Sequence, residues 1–201
     1  MENKEKLQKI TNELIKKEGN IIGDVVKSHE KFIRFKEGDE GLKKIEEETR
    51  ELGYPVDFKN IKPQEWYPVF LPVIIFVIAK DTFKWNKDDI KESATFVLKN
   101  SFILKTVLRY FVSVDRLPEI FLKFWKKSYD FGELEIVSMD KDRKKMIIRI
   151  KNYDVHPINC IAFSAMGKEM VKYVTAKEDV DIKETKCIHK GDEFHEYIVT
   201  W

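Results

Sequence analysis

Near Phe131-Gly132 the hydrophobic period changes from helical to alternating, and this change limits what the chain can build. Before it, apolar residues recur every three or four positions. After it, Leu134, Ile136 and Ser138 share a face, and Met146, Ile148 and Ile150 follow a turn at Asp140-Lys141-Asp142-Arg143. That pattern is a hairpin. A helix from about Pro157 to Val174 comes next, then a second hairpin from Thr185 to Trp201 around a Gly191-Asp192 turn. The order β-β-α-β-β, with no alternating βαβ units, predicts an α+β fold: N-terminal helices packed on a four-stranded antiparallel sheet. No Gly/Ser/Pro-rich linker separates the parts, so a single ligand-binding domain over 1–201 is expected. Its helical part is 1–130 and its sheet-bearing part 131–201.

The helical part is punctuated by glycine and proline. Leu7, Ile10, Leu14 and Ile15 mark a first helix that Gly19 stops. A second runs from Ile21 to Phe35 and ends at Gly38. Asp39 suits the N-cap of a third, which Gly53 and Pro55 stop. Tyr67 to Ala79 is the most apolar run. It is too short to span a bilayer, which takes about 20 residues, so a buried helix from about Gln64 to Lys80 is predicted. Asn86 caps the next helix, to about Leu98. Phe102 to Phe111 and Pro118 to Tyr129 complete the set.

Lys+Arg (37) and Asp+Glu (35) nearly cancel, so no one-signed basic stripe argues for nucleic acid. Abundant Lys, Glu and Ile with only two Gln, at positions 8 and 64, resembles thermophile composition. The N-terminus lacks the apolar region of a signal peptide, and a cytoplasmic protein without membrane spans is expected. The chain has 2 Cys, which rules out a disulfide framework.

On the helix before the terminal hairpin, Cys160, Phe163, Gly167, Met170, Val171 and Val174 form one stripe. Gly167 implies close approach of another element or the wall of a cavity. Cys160 and Gly167, with Glu184-Thr185-Lys186-Cys187 and Lys190-Gly191-Asp192-Glu193-Phe194-His195-Glu196-Tyr197, resemble the 4-vinyl-reductase-type small-molecule-binding domain. Ile61-Lys62-Pro63, Trp66-Tyr67-Pro68 and Gly132 are similar to a related bacterial family of about this length. Both are similar to a superfamily that includes haem nitric-oxide sensors and trafficking-complex subunits with an acyl-binding cavity. The resemblance implies an α+β fold, often dimeric, that binds a small apolar molecule rather than turning one over. A second Cys is common in that family where this chain has His195.

His156 and Cys160 are four apart, and Cys187 and His195 flank the turn. With a three-residue loop Cys187 and His195 project from one face; with two or four they oppose. Cys160, Cys187, His195 and His156 are thus the candidate metal ligands, with zinc the fitting ion. Haem is the other cofactor to weigh, with His29, His156, His189 and His195 as its only possible histidines, but no Tyr-x-Ser-x-Arg motif is present. No G-x-S-x-G, P-loop or Rossmann glycine pattern marks an enzyme. Trp66, Tyr67, Phe70, Phe76, Phe111, Phe121, Trp125 and Phe163 are the candidate pocket residues. Phe121, Phe124, Trp125 and Tyr129 form a stripe that could serve a dimer or a protein partner. The reading is a non-enzymatic sensor or carrier, homodimeric, holding a small apolar molecule or lipid between helices and sheet without a cofactor. The alternatives are a ligand-free interaction scaffold and a protein binding zinc or haem through Cys and His.

Overall fold

The structure, a computed structural model, describes residues 2–102, 106 and 113–201. Helix α1 (Glu2–Leu14) leads through β1 (Asn20–Ile22) into the long α2 (Gly23–Glu51). The chain then forms β2 (Trp66–Pro68), α3 (Phe70–Thr82), α4 (Lys87–Asn100) and α5 (Leu117–Ser128). The sheet-bearing part supplies β3 (Glu133–Asp140), β4 (Lys145–Lys151), α6 (Ile158–Thr175), β5 (Asp181–Lys186) and β6 (His195–Thr200). The strands β3-β4-β6-β5 form one antiparallel sheet in that order. The fold is the expected α+β arrangement of helices on a four-stranded sheet.

Local chemistry explains most boundaries. Asn86 caps α4 by accepting from the Asp88 and Asp89 amides, and Asp89 bonds back to the Asn86 amide, a complete capping box. The two helices expected on either side of Gly38 are the two segments of α2, which meet at a kink where Gly38 takes φ 73° and ψ −174°. Helix α3 starts later than Gln64. Pro68 holds the residue before it extended, so Trp66–Pro68 pairs with Asn20–Ile22 as a short two-stranded sheet that periodicity did not reveal. Pro72 is tolerated as the third residue of α3, where amides have no partner within the helix. From Pro72 to Ala79 that helix is buried, as its composition requires. The helix expected from Phe102 to Phe111 falls largely outside the described residues, Phe111 among them. No described helix is long and apolar enough to cross a membrane.

The terminal turn is longer than a Gly-Asp pair. Strand β5 ends at Lys186, a 3-10 turn covers Ile188–Lys190, and Gly191 closes it at φ 97°. The Asp192 carboxylate accepts from the Cys187 amide at 2.8 Å, which fixes the cysteine at the mouth of the turn.

Helical and sheet-bearing parts meet at Gly19-Asn20. The Asn20 amide and side chain both donate to the Asp130 carboxylate, at 2.6 and 2.7 Å. Gly19 has φ 102°, and a Cβ there would fall 2.2 Å from the Phe131 ring. Gly19→Ala therefore combines a left-handed penalty with a clash inside the seam. It should cost about 3 kcal/mol, or about 6–12 °C in melting temperature for a chain of this size. Gly38→Ala, with positive φ but open space around it, should cost only about 1 kcal/mol. Equal melting temperatures for the two variants would contradict this assignment.

Candidate metal centre

Helix α6 lies against β5 and β6, and its first turn brings Cys160 over the end of the terminal hairpin. Cys160 Sγ stands 3.6 Å from Cys187 Sγ and 3.7 Å from His195 Nδ1. Glu184 Oε1 lies 3.7 Å from the same His195 nitrogen. One donor atom from each of Cys160, Glu184, Cys187 and His195 falls within 4.8 Å of the others. A tetrahedron with metal–sulfur bonds of about 2.3 Å and metal–nitrogen bonds of about 2.0 Å has edges of about 3.5–3.8 Å. The Cys160–Cys187 and Cys160–His195 spacings, 3.6 and 3.7 Å, fall on those edges.

The surroundings orient this set. His195 is 1% exposed, and its Nε2 meets the Tyr153 carbonyl at 3.0 Å. A carbonyl only accepts, so Nε2 carries the proton and Nδ1 presents its lone pair to the cluster. Cys187 is 2% exposed. Burial, then the nearby Glu184 carboxylate and Cys187, push the Cys160 thiol far above its ordinary range. Without a cation this cysteine stays protonated; a thiophilic metal would hold it as thiolate. For Glu184, burial opposes charge, but hydrogen bonds led by Lys190 at 2.9 Å hold its carboxyl below the usual range. The centre therefore keeps one carboxylate charged.

Cys160, Cys187 and His195 are three of the four ligand candidates that spacing identified. His156 is not the fourth. Its Nδ1 accepts from the Ile158 amide at 3.1 Å, at the start of α6, and it lines a groove with α1, α3 and α4. Glu184 takes the place. A bulge between Glu184 and Lys186 shifts the register, so Glu184 pairs with Tyr197 while Lys186 pairs with Glu196. That bulge, rather than any of the short loop lengths, lets the two ends of the hairpin converge. The sequence signal was Glu184-x-x-Cys187, the C-x-x-C spacing with a carboxylate in place of the first thiolate.

The aromatic candidates scatter. Phe121, Trp125 and Phe163 meet in a chamber between α5, α6 and the sheet, with a volume of about 40 Å³. Gly167 lines it too, and a Cβ there would approach Ile182 Cδ1 to 2.9 Å. Both the close-approach and the cavity-wall expectations for this glycine thus have a counterpart. Phe76 lines a separate cavity of about 30 Å³ with Pro72 and His29. Trp66 is 46% exposed on β2. The Tyr67 hydroxyl accepts from the Lys62 amide, and Phe70 packs on Tyr54. These three do not reach either chamber. The stripe of Phe121, Phe124, Trp125 and Tyr129 is buried, so it is core and offers no partner surface.

Haem does not fit these residues. The rings of Trp125, Tyr129, Phe131, Tyr153 and Phe163 pack on one another at 4.4–6.3 Å, filling the space where helices meet sheet. Among the described residues, the two chambers inside this interface, about 30 and 40 Å³, are far below the roughly 300–1,000 Å³ of a ligand pocket; the larger clefts, about 370 and 390 Å³, are open grooves at the surface. His195, His189 and His156 turn toward the hairpin and α6, His189 resting by Asp154 at 3.3 Å. His29 alone faces one of these chambers, pressed edge-on to Phe76 at 4.5 Å. Residues 103–105 and 107–112 contain no His, Cys or Met.

The architecture recurs in solved structures. The crystal structure of an H-NOX protein from S. oneidensis in the Fe(II)NO ligation state matches with a TM-score of 0.66 at 13% identity, covering 89% of this chain and 98% of that one. The NMR structure of an H-NOX domain from Shewanella oneidensis in the Fe(II)CO state gives 0.62 at 13% identity, covering 90% and 98%. The Fe(II) unliganded H-NOX protein from K. algicida gives 0.60 at 9% identity, covering 90% and 96%. No protein-family model matches the chain, and no curated protein matches it. At such identities the likeness is one of fold: this chain has the fold of the H-NOX proteins, with helices on a four-stranded antiparallel sheet.

Proposed function

We propose that the chain is a non-enzymatic sensor-type domain that holds one zinc-class ion at Cys160, Glu184, Cys187 and His195. The observation that carries this reading is the convergence of four donors within 4.8 Å at the seam of α6 and the terminal hairpin. Two sulfurs, an imidazole and one carboxylate suit zinc better than magnesium or calcium, which want all-oxygen shells. When bound, such an ion neutralises the crowded anionic donors and joins segments 27 residues apart. The resemblance to 4-vinyl-reductase-type domains rests on the same cysteines and turn residues, and what it implies is a small apolar ligand, which supports the sensor part of the reading and not the metal.

The sensor part is supported by the fold, which in the S. oneidensis proteins is seen with iron in NO and CO ligation states. Their iron chemistry is not carried over, because His29, the histidine that faces an interior chamber, borders only about 30 Å³. A small apolar ligand fits the chamber beside Phe121, Trp125, Phe163 and Gly167. At about 40 Å³ that chamber takes a molecule of a few atoms; benzene fills an engineered cavity of about 150 Å³. A lipid chain would require α6 to lift from the sheet. Protein with reduced thiols, equilibrated with zinc and desalted, should retain one equivalent by mass spectrometry of the elements. Cys160→Ser and Cys187→Ser should retain none. Full retention by both variants would refute the site.

A further inference from the structure

The four donors are not equally enclosed. Cys187 and His195 are buried, whereas Cys160 and Glu184 line a surface cleft of about 390 Å³ between α4, α6 and β5. Lys87, Lys91 and Lys168 ring this cleft, while Ile161, Ala165 and Ile182 supply apolar wall. Lys91 pairs with Asp88 at 2.7 Å; Lys87 and Lys168 form no ion pair among the described residues. Asp181 also lines the cleft, so with Lys87 and Lys168 outnumbering it one face of the centre is open, net cationic at the rim and apolar at the side.

Building on the metal reading above, we propose that this face is a ligand-exchange position for a small monocarboxylate with a compact apolar body. Glu184 is the ligand that yields. A carboxylate is the weakest zinc donor of the set against two thiolates and an imidazole, and it is one of the two donors that face the cleft. Its release is prepared, since Lys190 already holds Glu184 Oε2 at 2.9 Å and the Tyr197 hydroxyl meets Oε1 at 3.4 Å. One metal–oxygen bond breaks and one forms, both to a carboxylate of unit charge, so net charge at the ion is unchanged. The lysines attract the anion, and Ile161 and Ile182 take its apolar body. Glu184 sits on β5 and Cys160 on α6, so exchange uncouples the strand from the ion while the helix stays bound. This would make occupancy of the cleft a signal within the fold.

The test uses the full-length protein loaded with Co(II), whose visible absorption reports its ligand shell, titrated with benzoate and separately with benzyl alcohol. Benzoate should change the bands saturably with cobalt retained after desalting, and benzyl alcohol should not. Glu184→Gln, with a poorer competing donor, should lower the half-saturating benzoate concentration about tenfold. Lys87→Ala with Lys168→Ala should raise it several-fold. Bands unmoved by benzoate in protein that holds cobalt would overturn the proposal while leaving the metal centre intact. Equal responses to benzyl alcohol, or cobalt stripped by benzoate, would overturn it too. Failure to bind cobalt at all would remove both the exchange position and the centre beneath it.

Discussion

A chelator added to the zinc-loaded protein should lower its melting temperature by about 10 °C. The estimate follows from linkage. An ion that binds only the folded chain, free at a thousandfold excess over its dissociation constant, stabilises by about 4 kcal/mol. In a chain of this length each kcal/mol moves the midpoint by about 2–4 °C. The structural reason lies in the donors. Cys160, Glu184 and Cys187 press acidic groups together in a half-buried seam, and Cys160 pays for that by staying protonated when no cation is present. A bound ion removes this conflict and ties α6 to the hairpin. Cys187→Ser should melt at one temperature with and without chelator. A wild-type curve indifferent to chelator would contradict the assignment.

Metal-free protein should lose stability as pH falls below about 6.5, by about 1.4 kcal/mol for each pH unit at the steepest. The group responsible is His29. Burial lowers its pKa from 6.5 to about 3: among the described residues its Nδ1 has no hydrogen-bond partner, and its ring lies against Phe76. The sign follows from the two states. Above pH 6.5 both folded and unfolded His29 are neutral, and its full contribution is present. Between pH 6.5 and 3 the unfolded chain takes up the proton while the folded chain refuses it, so stability falls with pH. By pH 4 the loss should reach about 3 kcal/mol. His156, lowered to about 4 chiefly by burial with His189 and Lys80 adding, acts in the same direction. Denaturant unfolding of His29→Gln at pH 7 and pH 4 checks the assignment. This variant should show a pH dependence shallower by close to one proton; an unchanged slope would place the acid sensitivity elsewhere.

Much of this fold was legible from pattern because the relevant forces are local. Asn86, Gly38 and the change of period at Gly132 each act through their own backbone, and each marks a real boundary. What periodicity missed depended on distant partners. Trp66–Pro68 became a strand because Asn20–Ile22 lay beside it, and no window of either segment contains that fact. The aromatic residues carried a similar ambiguity. A ring at helical spacing can wall a cavity or fill a core, and here Trp125, Tyr129, Tyr153 and Phe163 largely fill it. At the centre, Cys160, Cys187 and His195 stood out as scarce residue types, whereas Glu184 is one carboxylate in a chain with 35 Asp and Glu. Only the bulge at Thr185 and the fold of α6 over the hairpin select it.

The central claim is that Cys160, Glu184, Cys187 and His195 form one metal shell. X-ray absorption at the zinc edge of the loaded protein tests it most directly. The account predicts two sulfurs at about 2.3 Å and two nitrogen or oxygen donors at about 2.0–2.1 Å. A shell of oxygen and nitrogen alone, with no sulfur at bonding distance, would contradict it.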